Sequence, residues 1–245
     1  MVIISPATAD ATTNTHSPPW ADVINGPMWG GFDPRGAASG AVQWLDWSGY
    51  YTFNDNNNTD AAQAIGPLWA LDDSVFVVFG HGLPGQIAVE KNGNVGAITA
   101  NVNIAIAPDF ANGVRANLHD KPSGYWNRMK LAAWIGCNTG VDADPNLPNQ
   151  GNLVRESVLR LGADFSIGFR HLIYAVPNAM DLWTDAFFDT LNDNAGTPGT
   201  VGQAATAGLG NVRFWWGTAN YSWGFENPYI SGGGVTIRPT GYGNP

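Results

Sequence analysis

The sequence contains a single cysteine, Cys137, among 245 residues. One cysteine cannot form an intrachain disulfide, so the small secreted proteins that depend on a disulfide framework are excluded. A chain of this length can bury a sizeable core without cross-links, and one large domain is the expectation. The position of the one thiol therefore becomes an informative feature of the chain.

Charged residues are also scarce, at 13% of the chain, and the excess of acids gives a formal net charge of -9. Nonspecific binding to nucleic acid and docking on anionic membranes both need a basic surface, so neither partner is expected. No apolar run approaches the roughly 20 residues of a membrane span. Few lysines and abundant Gly, Asn, Thr and Trp favour a secreted or cell-surface protein. The first residues, however, lack the pattern of a signal peptide, so the protein is either cytoplasmic or has lost its signal.

Several common catalytic motifs are missing as well. The sequence has no Walker P-loop, no GxGxxG fingerprint, no GxSxG elbow and no HExxH pair. The usual nucleotide-binding, serine-hydrolase and zinc-peptidase interpretations are thereby removed, and no cofactor is expected.

One segment has the alternating oxygen ligands of a calcium loop. Asp142, Asp144 and Asn146 are spaced in this way, but Leu147 and Leu153 stand where an EF-hand needs Gly and Glu. We assign no metal to it.

Two short apolar runs end at reactive residues. One run reaches His81-Gly82, and the other reaches Gly136-Cys137. Continuous apolar runs of this length are typical of strands buried on both faces. If the two strands are parallel neighbours, His81 and Cys137 emerge together at their carboxyl ends, where open α/β sheets bind ligands. This arrangement would place a thiol nucleophile beside its base.

Both residues also have a structural interpretation, because a lone cysteine is most often an inert buried hydrophobe. The adjacent glycines favour the catalytic alternative, since glycine lets the backbone turn sharply or approach a ligand closely. The other histidines are weaker candidates. His16 and His119 are expected in solvated segments, and His171 follows a later strand and could border the same cleft.

The two strand endings resemble those of the caspase-fold cysteine peptidases, which include caspases, gingipains and CHAT-domain proteins. In that family one strand ends in His-Gly and a later one in Gly-Cys or Ala-Cys. The order after Cys137 is similar too: a helix over 152–161, a strand over 162–170 and a helix over 178–191. The resemblance covers about residues 70–208. It implies an α/β fold, a caspase-like three-layer sandwich with a mostly parallel central sheet and flanking helices.

The resemblance also implies a cysteine endopeptidase that acts on peptide or protein substrates through a thioester acyl-enzyme. Cys137 would be the nucleophile and His81 the general base and acid. Gly82 and Cys137 would supply oxyanion-hole N–H groups, with Gly136 and Asn138 assigned to the same oxyanion and substrate site. On this basis Gly82→Ala should keep the fold and lower turnover, provided that φ is negative.

The P1 preference does not carry over from the family. Several relatives that cleave after basic residues have Asp two positions before the cysteine, where this chain has Ile135.

The rest of the chain is expected to frame this site. We predict an extended N-terminal arm over 1–40 and a single caspase-like domain over 41–245. The domain should begin with a strand over 41–51, a loop over 54–60 and a helix capped by Thr59 or Asp60. An Asn92-Gly93 hairpin should lie near His81, where it would be either a wall of the cleft or a surface decoration.

The C-terminal part contains further signals. Thr200 to Gln203 forms a capping-box pattern that opens a small Ala-rich helix. Strands around 214–216, 221–223 and 235–237 would give the domain a β-rich C-terminal edge.

An alternative hypothesis is that the protein has the same fold but is not catalytic. The chain contains 11 tryptophans and little charge. Aromatic edges of low charge tend to pair with another chain, so the protein could instead be a non-catalytic structural or self-assembling module that forms homo-oligomers. In this alternative the arm and the aromatic C-terminal strands form the interface.

Overall fold

The computed structural model describes residues 19–28, 31–66, 73–143, 151–173, 178–192, 199–217 and 224–232. The elements in chain order are β1 (Trp20–Asn25), α1 (Arg35–Trp47), β2 (Tyr51–Asn56), α2 (Ala61–Ala64), β3 (Asp73–Phe79), β4 (Gly82–Leu83), β5 (Gln86–Lys91), β6 (Asn94–Thr99), β7 (Arg115–Asn117), β8 (Leu131–Ile135), α3 (Leu153–Arg155), β9 (Phe165–Phe169), α4 (Ala179–Asn192), α5 (Val201–Trp216) and β10 (Pro228–Gly232). Short 3₁₀ turns cover Pro108–Phe110 and Leu118–Asp120, and a π-helical turn, Glu156–Arg160, continues α3.

Within these residues the strands form a central sheet of six, in the order β10-β9-β8-β3-β1-β2. All neighbouring pairs are parallel except β9 and β10, which are antiparallel. A second sheet, β4-β5-β6-β7, lies beside it. In the middle of the central sheet β3 pairs with β8 in a register that runs from Val75 opposite Leu131 to Phe79 opposite Ile135.

Apolar layers cover both faces of the central sheet. On one face Val77 packs in a core with residues of α1, α4 and α5, such as Leu45 and Trp183. On the other face Phe76 and Val78 pack with α2, α3 and the β5-β6 hairpin. Successive residues of β3 thus point to opposite layers, both of them buried, as a continuous apolar strand requires. The predicted three-layer α/β fold is confirmed.

Local sequence signals account for several element boundaries. The side chain of Asp60 caps α2 in a capping box with Gln63, and Thr200 caps α5 in the same way. Asn92 and Gly93 both have positive φ, 53° and 79°, and they turn the chain between β5 and β6. These predictions are confirmed, although α2 ends at Ala64 and α5 is a long helix.

At the N-terminal end three secondary-structure predictions are wrong. Residues 20–25, expected in an extended arm, form β1, which lies between β2 and β3. Residues 41–47, expected as a strand, belong to α1, because its small apolar residues recur at helical spacing and face the core: Ala37, Ala38, Ala41 and Leu45. Residues 54–56, expected as loop, end the edge strand β2. Residues 1–18 and 29–30 of the predicted arm lie outside the described residues.

The predicted C-terminal strands also need correction. Phe214 to Trp216 form the last turn of α5, because the helix that Thr200 opens runs on past its alanines. The segments 221–223 and 235–237 lie outside the described residues. The sheet is closed on this side by β10, which begins with Pro228, an acceptable residue at the start of an edge strand.

No helix in the described parts of the chain combines the length and the apolar character needed to cross a membrane.

Asp22 is a fully buried carboxyl group in the middle of β1. Burial and the nearby carboxylate of Asp55 raise its pKa to about 8, and a backbone hydrogen bond from Val23 opposes this only in part. Because the pKa in the folded state lies above the ordinary aspartate value of 3.8, the folded state binds a proton that the unfolded state releases between the two values. The contribution of the protonated Asp22 side chain to the free energy of unfolding is therefore lost as pH rises through about 8.

We predict that Asp22→Asn stabilises the fold at pH 8 and has little effect near pH 4, since amide and protonated carboxyl have similar shapes. One pKa unit corresponds to about 1.4 kcal/mol, so a gain of at least ~1 kcal/mol is expected at pH 8. Chemical denaturation at both pH values measures it. An equal effect at pH 4 and pH 8 would contradict the assignment of a buried neutral carboxyl.

Candidate active site

The ends of β3 and β8 bring His81 and Cys137 to the same edge of the central sheet. After the last strand pair, Phe79 and Ile135, the backbone N–H of Gly80 still donates to the carbonyl oxygen of Ile135 at 3.1 Å. The parallel register therefore extends beyond the strands. If this register continued for two more residues, the backbone of His81 would lie opposite that of Cys137.

At Gly82 the segment that contains His81 is in direct contact with the backbone of Cys137. A Cβ built on Gly82 would lie 2.3 Å from the carbonyl oxygen of Cys137 and 2.8 Å from its amide nitrogen. The backbone of the His81-Gly82 segment is therefore packed against the cysteine itself, which only glycine allows. The expectation that Gly82→Ala would keep the fold is wrong, because the added methyl has no space without displacement of Cys137.

Gly136 is equally constrained. A Cβ there would lie 2.6 Å from the carbonyl oxygen of Gly80. Both glycines adjoining the candidate dyad are thus required by the close approach of the two strand ends.

His81 is half-buried, and its imidazole packs against Phe32, with ring centroids 4.6 Å apart. The carbonyl oxygen of His81 accepts a hydrogen bond of 2.8 Å from the N–H of Ala88 in β5. The β5-β6 hairpin thus lies beside His81, as its Asn-Gly turn led us to expect. The segment that bears His81 is fixed from two sides, by the hairpin and by Phe32.

The thiol of Cys137 is partly buried against the backbone that follows β9. Its Sγ accepts a hydrogen bond of 3.3 Å from the N–H of Ile173 and lies 3.5 Å from the carbonyl oxygen of the same residue. Burial raises the thiol pKa, which backbone N–H groups of Ile173 and Cys137 only partly offset. The thiol is therefore mainly protonated at neutral pH, and nucleophilic attack would need a base to remove its proton.

The turn after the cysteine is tightly held. Asn138 has a positive φ of 54°, a conformation that asparagine tolerates better than most residues, and its N–H donates to the carbonyl oxygen of His171 at 3.1 Å. The buried hydroxyl of Thr139 donates to the carbonyl oxygen of Trp134 at 2.7 Å and accepts from the N–H of Phe169 at 3.1 Å. Thr139 thereby joins the ends of β8 and β9 directly behind Cys137.

The other sequence candidates lie away from this arrangement or outside the described residues. His119 bonds through Nδ1 to the buried Glu156 at 2.9 Å, and His171 is exposed near the site. Asp142 forms an ion pair with Arg155. His16, Asp144 and Asn146 lie outside the described residues. In the part of the chain that is described, no group of three or more His, Cys, Asp or Glu side chains could hold a metal ion.

The sequence reasoning missed three residues that position the site. Phe32 lies within the segment that was predicted as an arm, and Ile173 contacts the thiol only through its backbone. No sequence pattern therefore indicates the role of either residue. Thr139, however, stands two residues after the only cysteine. A small hydroxyl residue at a strand end can bond the backbone of the next turn, and that signal could have been noticed.

Comparisons with known proteins identify a structural relative and no sequence relative. No protein-family model matches the chain, and no curated protein is similar to it in sequence. Among solved structures, the Arg-specific cysteine proteinase gingipain R matches with a TM-score of 0.57 at 13% identity. The match covers 89% of this chain and 46% of that one, so the chain spans less than half the length of gingipain R. The likeness establishes a relationship of fold with a caspase-like cysteine proteinase.

Thr139 gives a test of how the site is held. Thr139→Val removes the hydroxyl and leaves the buried N–H of Phe169 without its acceptor, which should cost about 1–3 kcal/mol of unfolding free energy. The loosened turn should also make Cys137 react faster with iodoacetamide. Thr139→Ser retains the hydroxyl and is the matched control. If Val and Ser behave alike in denaturation and alkylation, the hydroxyl does not hold the turn.

Proposed function

We propose that the chain is a cysteine peptidase in which Cys137 is the nucleophile and His81 the general base and acid. The observation that carries the proposal is the parallel pairing of β3 with β8, because each strand ends two residues before one of these two residues. The fold relationship with gingipain R supports it, because that protein is a cysteine proteinase.

The proposed reaction follows from the state of the thiol. Since burial holds the thiol protonated, His81 would accept its proton as Sγ attacks the substrate carbonyl carbon. The tetrahedral intermediate would then expel the amine, which takes the proton from the imidazolium, and leave a thioester. Water, deprotonated by the same imidazole, would hydrolyse the thioester and restore the thiol.

Backbone N–H groups are the proposed donors to the oxyanion. The N–H of Gly136 already donates to the carbonyl oxygen of Trp134, and that of Asn138 donates to His171. We assign the oxyanion hole to the N–H groups of Gly82 and Cys137, as the resemblance to the caspase-fold peptidases implies. Loss of one such donor typically costs about 10² to 10³ in rate.

The dyad can be tested with peptidyl acyloxymethyl ketones, which label a catalytic thiol, and with iodoacetamide, which needs no binding site. We expect His81→Asn to slow peptidyl labelling of Cys137 by about 10² or more, since general bases contribute roughly 10² to 10⁴. His171→Asn, an exposed histidine close to the same edge, is the matched control and should label like the wild type. Mass spectrometry follows the adduct.

The proposal fails if Cys137 reacts no faster with the peptidyl reagents than free cysteine does, or if His81→Asn and His171→Asn give the same rate. Circular dichroism of each variant separates loss of the base from loss of the fold.

A second candidate function, self-assembly without catalysis, is favoured by one surface feature. Three consecutive aromatic side chains are exposed at the end of α5: Phe214 by 79%, Trp215 by 65% and Trp216 by 39%. The rings of Phe214 and Trp215 lie edge to face at 5.4 Å. Exposed apolar patches of this kind often mark interaction sites.

Size-exclusion chromatography with light scattering tests self-assembly. If α5 forms an interface, the wild type should be oligomeric, and the double variant Phe214→Ser, Trp215→Ser should be monomeric. Trp47→Ser, which changes an aromatic residue 42% exposed on α1, is the control and should not alter the mass. A monomeric wild type at high concentration would exclude this candidate.

A further inference from the structure

A groove of about 590 Å³ is lined in part by residues that follow shortly after His81 and Cys137 in the chain. Leu83 and Pro84, which form part of its wall, follow directly after His81-Gly82. Ala143, from the segment that follows Cys137, contributes to the lining as well. Ligand pockets commonly have volumes of about 300–1,000 Å³, so the space is sufficient for a bound group.

The far wall, residues 103–107, is fixed by two side chains. The amide of Gln86 donates to the carbonyl oxygen of Ala105 at 3.1 Å and accepts from the N–H of Ala107 at 3.3 Å. The guanidinium of Arg115 donates to the carbonyl oxygens of Val102, at 2.6 Å, and Ile104, at 3.0 Å. This wall is therefore preorganised and needs no ligand to order it.

Most of the residues that line the groove have apolar side chains. Besides Leu83 and Pro84 it presents Ile104, Ile106 and three alanines, with no charged side chain among the lining residues that the structure describes. Of its polar side chains, Gln86 already bonds the wall, and Asn103 is exposed at the rim. A lysine, arginine or glutamate side chain would lose hydration here and gain no counter-charge, whereas an aliphatic side chain would lose nothing.

We propose that this groove is a substrate subsite that binds uncharged, aliphatic side chains of a peptide lying across the dyad. The proposal rests on the proposed peptidase function for its role and names the substrate class. Arginine specificity, which the name of gingipain R states for that protein, is not expected here, because an arginine side chain would find no carboxylate in the groove.

Binding can be measured without the reactive thiol. The probes are the blocked peptides acetyl-Ala-Leu-Leu-Ala-amide, acetyl-Ala-Lys-Lys-Ala-amide and acetyl-Ala-Glu-Glu-Ala-amide, titrated into full-length ¹⁵N-labelled Cys137→Ala protein. We expect the leucine peptide to shift the amide signals of Leu83, Gln86 and Ala105, with a Kd about tenfold or more below those of the charged peptides. Equal affinities, absent binding, or shifts confined to other residues would overturn the subsite.

Charge placed in the groove should reverse the preference. Ala105 is exposed, so Ala105→Lys is compatible with the fold. The variant should bind the leucine peptide about tenfold more weakly and the glutamate peptide more tightly. Ala111→Lys, exposed on the same loop and outside the lining, is the matched control and should bind like the parent protein. Identical behaviour of the two lysine variants would overturn the subsite.

A second arm separates this proposal from the peptidase proposal. With Cys137 intact, peptidyl acyloxymethyl ketones containing leucine should label faster than those containing lysine, and Ala105→Lys should remove that preference while labelling by iodoacetamide stays constant. Fast labelling without side-chain preference would overturn the subsite and leave the dyad standing. Leucine-selective binding without labelling would support the subsite and overturn the dyad.

Discussion

The parallel pairing of β3 with β8 is the constraint on which the candidate site depends. Neither His81 nor Cys137 lies within a strand; each is the second residue after one. Their proximity follows from the register of Val75 to Phe79 against Leu131 to Ile135, which is fixed because both strands are buried on both faces. A slip of one residue would exchange the layers that Phe76 and Val77 enter and would move the histidine past the thiol.

The same pairing explains the local sequence. Beyond the strands the two segments stay so close that a side chain at position 82 or 136 would collide with the opposite backbone. The glycines are thus a consequence of the close approach of the two strand ends. Behind them, the hydroxyl of Thr139 continues the connection to β9, so that three neighbouring strand ends form one rigid edge.

Much of this edge could be predicted from the sequence because its signals are local. The apolar runs, the two capping boxes and the Asn-Gly turn each act over a few residues, and all correspond to observed elements. The wrong predictions concern segments whose secondary structure depends on tertiary packing. β1 is short and follows a Pro-rich stretch. The helical spacing of the alanines in α1 was obscured by the aromatic residues that follow them, which made the segment 41–51 resemble a strand. Phe32 and Ile173 contact the candidate site only because the fold brings them there, so the local sequence does not reveal them.

The electrostatics of the thiol connect the fold to the proposed chemistry. A thiol that is activated in advance sits near positive charge, whereas Cys137 is partly buried against the backbone of Ile173, and burial raises its pKa. Burial therefore disfavours a thiolate formed in advance, and in the proposed mechanism the proton would move to His81 as the bond to substrate forms. Reactivity would then depend on the position of the substrate carbonyl. The apolar groove beside Gly82 would supply that positioning, since it can hold an aliphatic side chain while the peptide bond lies over the thiol.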